Sequence, residues 1–424
     1  MTAAVLFGSF ALFLILTVPI GISLGLATLV TIFYSGSLPV EFLMKELITS
    51  VDSFPLMAVP FFILAGEIMG RGGISERLFN VANALVGNKT GGFAIATIIT
   101  CMFFAAISGS GPATVAAIGG IMIPAMVRNG YDIKFATAVV AAAGSLGVII
   151  PPSIPMVIYG VVGSASIGDL FIAGIIPGVL VGLGLITYTY FYSRKMGYKG
   201  LDEPTSMKKI GAAIWDAKWA LLIPIIILGG IYGGIFTPTE AAVIAVVYGL
   251  VAGLLIYKEL PFRDLPKVLA DSALTTATVL IIVGSATAFG RFLTIEQIPN
   301  KVANAMLSIS DNGIILILLI TVLLLVVGCF MDTLAAIIIL TPILLPIAVE
   351  LGYDPIHFGI IMVVNLAIGF ITPPLGVNLF VASGISGLSI EALSKAILPF
   401  FVAMVITLLI ITFIPQISLF FVGG

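Results

Sequence analysis

Apolar stretches of about 20 residues recur from one end of this chain to the other, with no long polar segment between them. A helix of that length, rising about 1.5 Å per residue, spans the ~30 Å hydrocarbon core of a bilayer. The blocks therefore read as membrane helices. Charge agrees: 9% of the 424 residues are charged and mean hydropathy is +1.26, whereas about a quarter of a soluble protein's residues are charged. Such a chain cannot clothe a soluble surface of its size, so lipid must cover it.

The same poverty excludes several classes. Net charge is −2, which leaves no footprint for nucleic acid. Cys101 and Cys329 each lie inside an apolar run, so a disulfide framework is not expected. His357 is the only histidine, which argues against a zinc site or metalloenzyme chemistry. No phosphate-binding G-x-x-x-x-G-K-[ST] loop exists; Gly87-Asn88-Lys89-Thr90 lacks the spacing. The first apolar stretch has no basic flank or small-residue cleavage site, and is expected to be a retained span.

The blocks run roughly 3–35, 54–70, 92–126, 134–163, 168–193, 217–236, 238–257, 270–290, 313–350, 356–386 and 391–421. Blocks 92–126 and 313–350 each suit two passes or a broken one, and 134–163 and 356–386 suit helical hairpins. About 10 to 14 membrane elements are expected. The most polar stretch carries Arg194, Lys195, Lys199, Lys208, Lys209 and Lys218. The positive-inside rule makes it cytoplasmic. We divide the chain into repeat 1 (1–200), a basic linker (201–218) and repeat 2 (219–424).

The division rests on an internal duplication. Gly130-Tyr131-Asp132 recurs as Gly352-Tyr353-Asp354, an offset of 222. The same offset carries Pro124 to Pro346, Pro151-Pro152 to Pro373-Pro374 and Pro177 to Pro399. Upstream the offset drifts slightly: Gly70-Arg71 matches Gly290-Arg291, and Asp52-Ser53 matches Asp271-Ser272. An odd number of passes per half would invert the repeats, an arrangement frequent in secondary transporters with a midplane site. An even number would make them parallel.

Each half is interrupted twice. Ser108-Gly109-Ser110-Gly111-Pro112-Ala113-Thr114 breaks the first apolar run, because proline removes a hydrogen bond and glycine weakens a helix interior. Gly144 to Ser153, with Pro151-Pro152, reads as the tip of a re-entrant hairpin. The repeat mates are Phe330-Met331-Asp332-Thr333 and Gly369-Phe370-Ile371-Thr372-Pro373-Pro374, followed by Asn378. Unwound carbonyls with Ser, Thr, Asn and Asp oxygens suit a small hard cation such as sodium. Helix N-termini beside them suit an anionic substrate. The competing reading is close helix packing by small residues.

Asp332 stands between two strongly apolar stretches, where an acid costs roughly 2.5–3.5 kcal/mol and usually has a function. Arg291 and its mate Arg71 read equally as snorkelling arginines or as anion-binding groups. Asp132 and Asp354 read as helix caps.

At these residues the chain resembles the large membrane subunit of tripartite ATP-independent periplasmic (TRAP) transporters. The resemblance is carried by Phe54 to Gly66, Ser108 to Thr114, Ile150-Pro151-Pro152-Ser153 and Ile371-Thr372-Pro373-Pro374, and extends over essentially the whole chain. It implies an all-α integral membrane protein of two inverted-topology repeats with re-entrant hairpins and broken helices, an elevator-type ion transporter fold. It implies a sodium-coupled symporter in a bacterial inner membrane, with Na+ as coupling ion and no other cofactor. The implied partners are a small membrane subunit, here a separate chain, and a periplasmic binding protein delivering an organic acid, a C4-dicarboxylate or a sialic acid. Combined with the breaks, it nominates Ser108, Ser110, Gly111, Gly147, Asp332, Thr333, Gly369, Thr372 and Pro374 for sodium. Thr114, Pro152, Ser153, Asn378 and Arg291 are nominated for substrate. The alternative is an intramembrane enzyme or a scaffold subunit, and an enzyme would need facing catalytic groups at depth.

Overall fold

The computed structural model describes residues 1–200, 206–307, 312–374 and 376–422; for 303–307 it describes the backbone alone. The first five residues of the expected linker, 201–205, lie outside the described residues. Among those described every regular element is helical. Among the described residues nine helices are long and apolar enough to cross a bilayer, or ten if Met207–Asp216 and Lys218–Tyr232, bent by 65°, form one span.

The two kinds of interruption do different things to the chain. Gly92–Ser108 and Gly111–Arg128 are the arms of a hairpin, turning at Gly109 and Ser110. Thr97 lies near the start of one arm and Met126 near the end of the other, yet the Thr97 hydroxyl donates to Met126 Sδ at 3.8 Å. A continuous helix would separate them by roughly 40 Å. Gly109 makes the reversal in the left-handed region, at φ +61°, where a side chain is disfavoured. The second half repeats the hairpin with Gly313–Phe330 and Thr333–Glu350, and Gly313 at its start lies against Leu351 just past its end.

The Pro-Pro segments, by contrast, interrupt single passes. Ile133–Gly144, the short turn Leu146–Ile149 and Ile154–Val162 form one membrane-length segment. Pro355–Gly369 and Val377–Ser386 are its counterpart. Both breaks carry a cis Pro–Pro bond, Pro151-Pro152 and Pro373-Pro374. The hairpins expected at 134–163 and 356–386 are thus broken spans, while 92–126, read as two passes or a broken one, is a hairpin with its tip at the 108–114 break. Adjacent prolines stop a helix because each removes an N–H donor; that loss does not set the direction in which the chain leaves.

The repeats are inverted. Asp132 N, at the start of the first broken span, donates to the Tyr198 hydroxyl beside the basic stretch (3.0 Å). The start of the second broken span lies at the opposite face, where the Tyr159 hydroxyl donates to Pro355 O at 2.7 Å. Its end returns to the first face, where Asp132 and Lys134 share a cleft with Ser389 and Glu391. Of the 18 Lys and Arg, only Lys45, Arg291 and Lys301 lie at the far face, so the basic face is cytoplasmic.

Inversion makes the repeats interlock. Ile154–Val162 packs on Thr333–Glu350, and Val377–Ser386 packs on Gly111–Arg128. Around this nucleus lie Ala58–Arg71, which packs on Pro238–Leu250 and on the long helix Leu265–Ile295, and Ile20–Ser35, which packs on Leu265–Ile295. Asp132 and Asp354 cap the broken spans, as their Gly-Tyr-Asp contexts predict: Asp132 Oδ1 accepts from Lys134 N (2.9 Å) and Asp354 Oδ1 from Ile356 N (2.8 Å).

Candidate functional site

Hairpins entering from opposite faces bring their tips to the middle of the protein. Ser110 is the N-cap of Gly111–Arg128, its hydroxyl accepting from Ala113 N. Its repeat mate Asp332 is the N-cap of Thr333–Glu350, with Oδ2 accepting from Leu334 N at 2.9 Å. Ser110, Asp332, Thr333 and Phe370 line one cavity of about 160 Å³, closed by Ile63, Thr275 and Val279 of the surrounding helices. Two helix N-termini therefore meet at a single space, each capped by its own side chain, and the Ser110 and Asp332 oxygens line it together.

Two polar clusters flank this cavity, one per hairpin. In the first, the Thr114 hydroxyl donates to Ser110 O (2.8 Å) and lies 3.0 Å from the Ser108 hydroxyl. Gly147, from the adjacent broken span, passes so close that a Cβ there would meet Thr114 Oγ1 at 2.6 Å. Asn378 crosses from the other repeat: its Nδ2 donates to Ala141 O (3.1 Å) and Ser145 Oγ (3.3 Å). Its Oδ1 is buried without a hydrogen-bond partner and lies 3.3 Å from the Cβ direction of Gly111. Ser108, Ser110, Gly111, Gly147, Thr114 and Asn378 are thus one cluster.

In the second cluster, Gly328 and Gly369 bring two backbones together, with 3.2 Å between the Cβ direction of one and Cα of the other. The Thr372 hydroxyl donates to Ile368 O (2.7 Å) and lies beside the Cys329 thiol. Thr333 Oγ1 is buried without a partner. Pro374 lies within the non-helical segment that follows Gly369. Among the buried side-chain oxygens without a hydrogen-bond partner, Thr333 Oγ1 belongs to this cluster and Asn378 Oδ1 to the first.

Of the remaining nominated residues, Pro152 and Ser153 lie behind the first tip, and Arg291 stands apart. Pro152 presents its carbonyl to the Gly109 turn, and Ile154 N donates to Gly109 O at 3.3 Å, so the break and the tip support each other. Ser153 is fully buried, its hydroxyl donating to Val148 O (2.6 Å) and accepting from Met156 N. Arg291 lies outside the tip cavity, paired with Glu46 Oε1 at 2.8 Å. Sequence reasoning missed Ser145, although it stands next to Gly144 in the quoted break. It also missed Thr275 and Ile63, which carry no local signal. Among the described residues no three His, Cys, Asp or Glu side chains form a metal-binding group.

Comparison with known proteins gives this geometry its family. Residues 7–417 match the family model for the tripartite ATP-independent periplasmic transporter, DctM component. The chain is 57% identical over 99% of its length to the isethionate TRAP transporter permease protein DctMQ of Oleidesulfovibrio alaskensis, and spans 66% of that relative's length. It is 40% identical to the C4-dicarboxylate TRAP transporter large permease protein DctM of Rhodobacter capsulatus, covering 99% of this chain and 98% of that one. To the sialic acid large permease SiaM of Vibrio cholerae it is 39% identical, over 95% of this chain and 94% of that one. The solved structure of the YdaH transporter of Alcanivorax borkumensis shares the fold, with TM-score 0.65 at 16% identity, covering 90% of this chain and 89% of that one. These relatives are named as transporter permeases, not as enzymes, which sets the intramembrane-enzyme reading aside. The chain belongs to the DctM family, the large multi-pass permease subunits of TRAP transporters in the bacterial inner membrane.

Proposed function

We propose that this subunit couples inward sodium movement to import of a small organic acid, which a periplasmic binding protein delivers and a small membrane subunit helps translocate. The observation that carries the reading is the meeting of Ser110 and Asp332 in one cavity. An anion there would face two helix N-termini. Sodium ions at the flanking clusters would take the Ser108–Thr114 and Thr333–Thr372 oxygens and offset its charge. Inverted interlocking halves suit an elevator motion, in which the nucleus carrying both tips moves against the surrounding helices. The nominated sodium residues are proposed in that role, with Thr114 and Asn378 linking the ion cluster to the substrate.

The substrate class is a small carboxylate or sulfonate. The relative at 57% identity is named for isethionate, a hydroxyl-bearing sulfonate, so that acid is tested alongside C4-dicarboxylates and sialic acid. Purified transporter with both partners, in liposomes, should accumulate the acid only under an inward sodium gradient. Uptake that persists when the gradient is collapsed would exclude sodium coupling.

A further inference from the structure

A second cavity, of about 430 Å³, opens at the outer face between Leu265–Ile295 and the nucleus. That is ample for a small ligand with water, whereas the tip cavity holds about 160 Å³. Ile338 and Pro342 wall it, on the helix that Asp332 caps. The two sites are therefore about 9–15 Å apart along that helix.

Its polar wall is hydroxyl-rich: Ser50, Ser53, Ser164, Thr287 and Thr294 line it together with Arg291. The Arg291 side chain is 64% exposed, while its partner Glu46 is 5% exposed. Glu46 Oε2 and Ser50 Oγ, one helical turn apart, are buried with no hydrogen-bond partner. A buried carboxylate is tolerable beside a cation, so Glu46 anchors the guanidinium at the cavity wall. Arg carries five N–H donors in a planar fork matched to an acid group, and the Glu46 contact engages one nitrogen.

The repeat mate offers the control. Arg71, at the cytoplasmic face, is tied to two carboxylates, Asp271 at 2.7 Å and Glu67 at 3.2 Å. The cleft beside it is walled by Gly66, Gly70, Ala113 and Ala117 rather than by hydroxyls. Two copies of one arginine thus diverged: the outer one keeps spare donors over a hydroxyl-lined cavity, and the inner one is neutralised.

We propose that the outer cavity is a loading subsite, in which Arg291, positioned by Glu46, takes the acid group of the incoming carboxylate or sulfonate and the hydroxyl wall takes its oxygens. The subsite rests on the import reading for its purpose, but binding there is measurable without transport.

The test uses a Ser53→Cys variant of the intact transporter in right-side-out vesicles, with Cys101 and Cys329 replaced by Ser. A membrane-impermeant methanethiosulfonate labels the introduced thiol from outside. Millimolar isethionate or succinate should slow labelling about tenfold, the equivalent of roughly 1.4 kcal/mol of occupancy, while ethylene glycol should not. Adding Arg291→Gln should remove the protection, Arg291→Lys should keep part of it, and Arg71→Gln should leave it intact. Protection that survives Arg291→Gln, or is absent for both acids, overturns the subsite. Protection without sodium-driven uptake leaves the subsite standing and removes the import reading instead.

Discussion

Ser110 and Asp332 occupy equivalent places in the two repeats: each caps the second arm of its hairpin, and both face one cavity. Duplication kept the cap and changed its charge. Serine and aspartate both satisfy a free N–H at a helix start, so either serves the fold. Only the aspartate brings an ionisable group to the middle of the membrane.

Asp332→Asn separates those roles, because asparagine caps a helix about as well as aspartate. The variant should reach the membrane at wild-type abundance and lose sodium-dependent uptake by roughly tenfold or more, about 1.4 kcal/mol. The measurement is initial uptake against sodium concentration. An unchanged sodium curve would return Asp332 to a capping role alone.

Gly147→Ala should disable the first cluster. The added methyl would lie 2.6 Å from Thr114 Oγ1 and against the Ser110 carbonyl, both held by hydrogen bonds. Overpacking of this kind costs about 1–3 kcal/mol, read as a lower unfolding temperature together with lost uptake. Gly120→Ala, with nothing within 4 Å, should leave both unchanged.

Removing the Asn378 amide should loosen the crossing between repeats. Asn378→Ala deletes donation to Ala141 O and Ser145 Oγ and leaves the buried Ala141 carbonyl without that donor. The expected cost is about 1–3 kcal/mol in thermal unfolding. Ser145→Ala removes only the second of these contacts and should cost less.

The hairpin itself is open to a distance measurement. Lys89 and Asn129 flank its two arms and are exposed. Spin labels at these positions should lie at the same cytoplasmic face, below about 30 Å apart, whereas a continuous pass would separate them by roughly 60 Å. The longer distance would remove the hairpin, and with it the meeting of the tips.

Much of this protein was legible in its residues. Apolar blocks at membrane length dictate helices, because hydrocarbon leaves the backbone no other partner. The repeated Gly-Tyr-Asp, Pro-Pro and Gly-Arg pairs reveal the duplication, and Asp132 and Asp354 cap as their contexts require. Ser110 and Asp332 were both nominated from breaks that fall in register.

What each break does was decided by the tertiary structure alone. Gly109 and Pro151-Pro152 both stop a helix locally, by freeing the chain from helical angles or removing a donor. Whether the chain then turns back or continues depends on which surfaces are available to bury the next segment. Thr97 against Met126 selects reversal at Gly109, and Tyr159 bonded to Pro355 O marks continuation beyond Pro152 to the far face. Asn378 likewise meets Ala141 and Ser145, from the other half of the chain, only because the inverted repeats interlock. Local chemistry fixed where helices end; packing between distant segments decided where they lead.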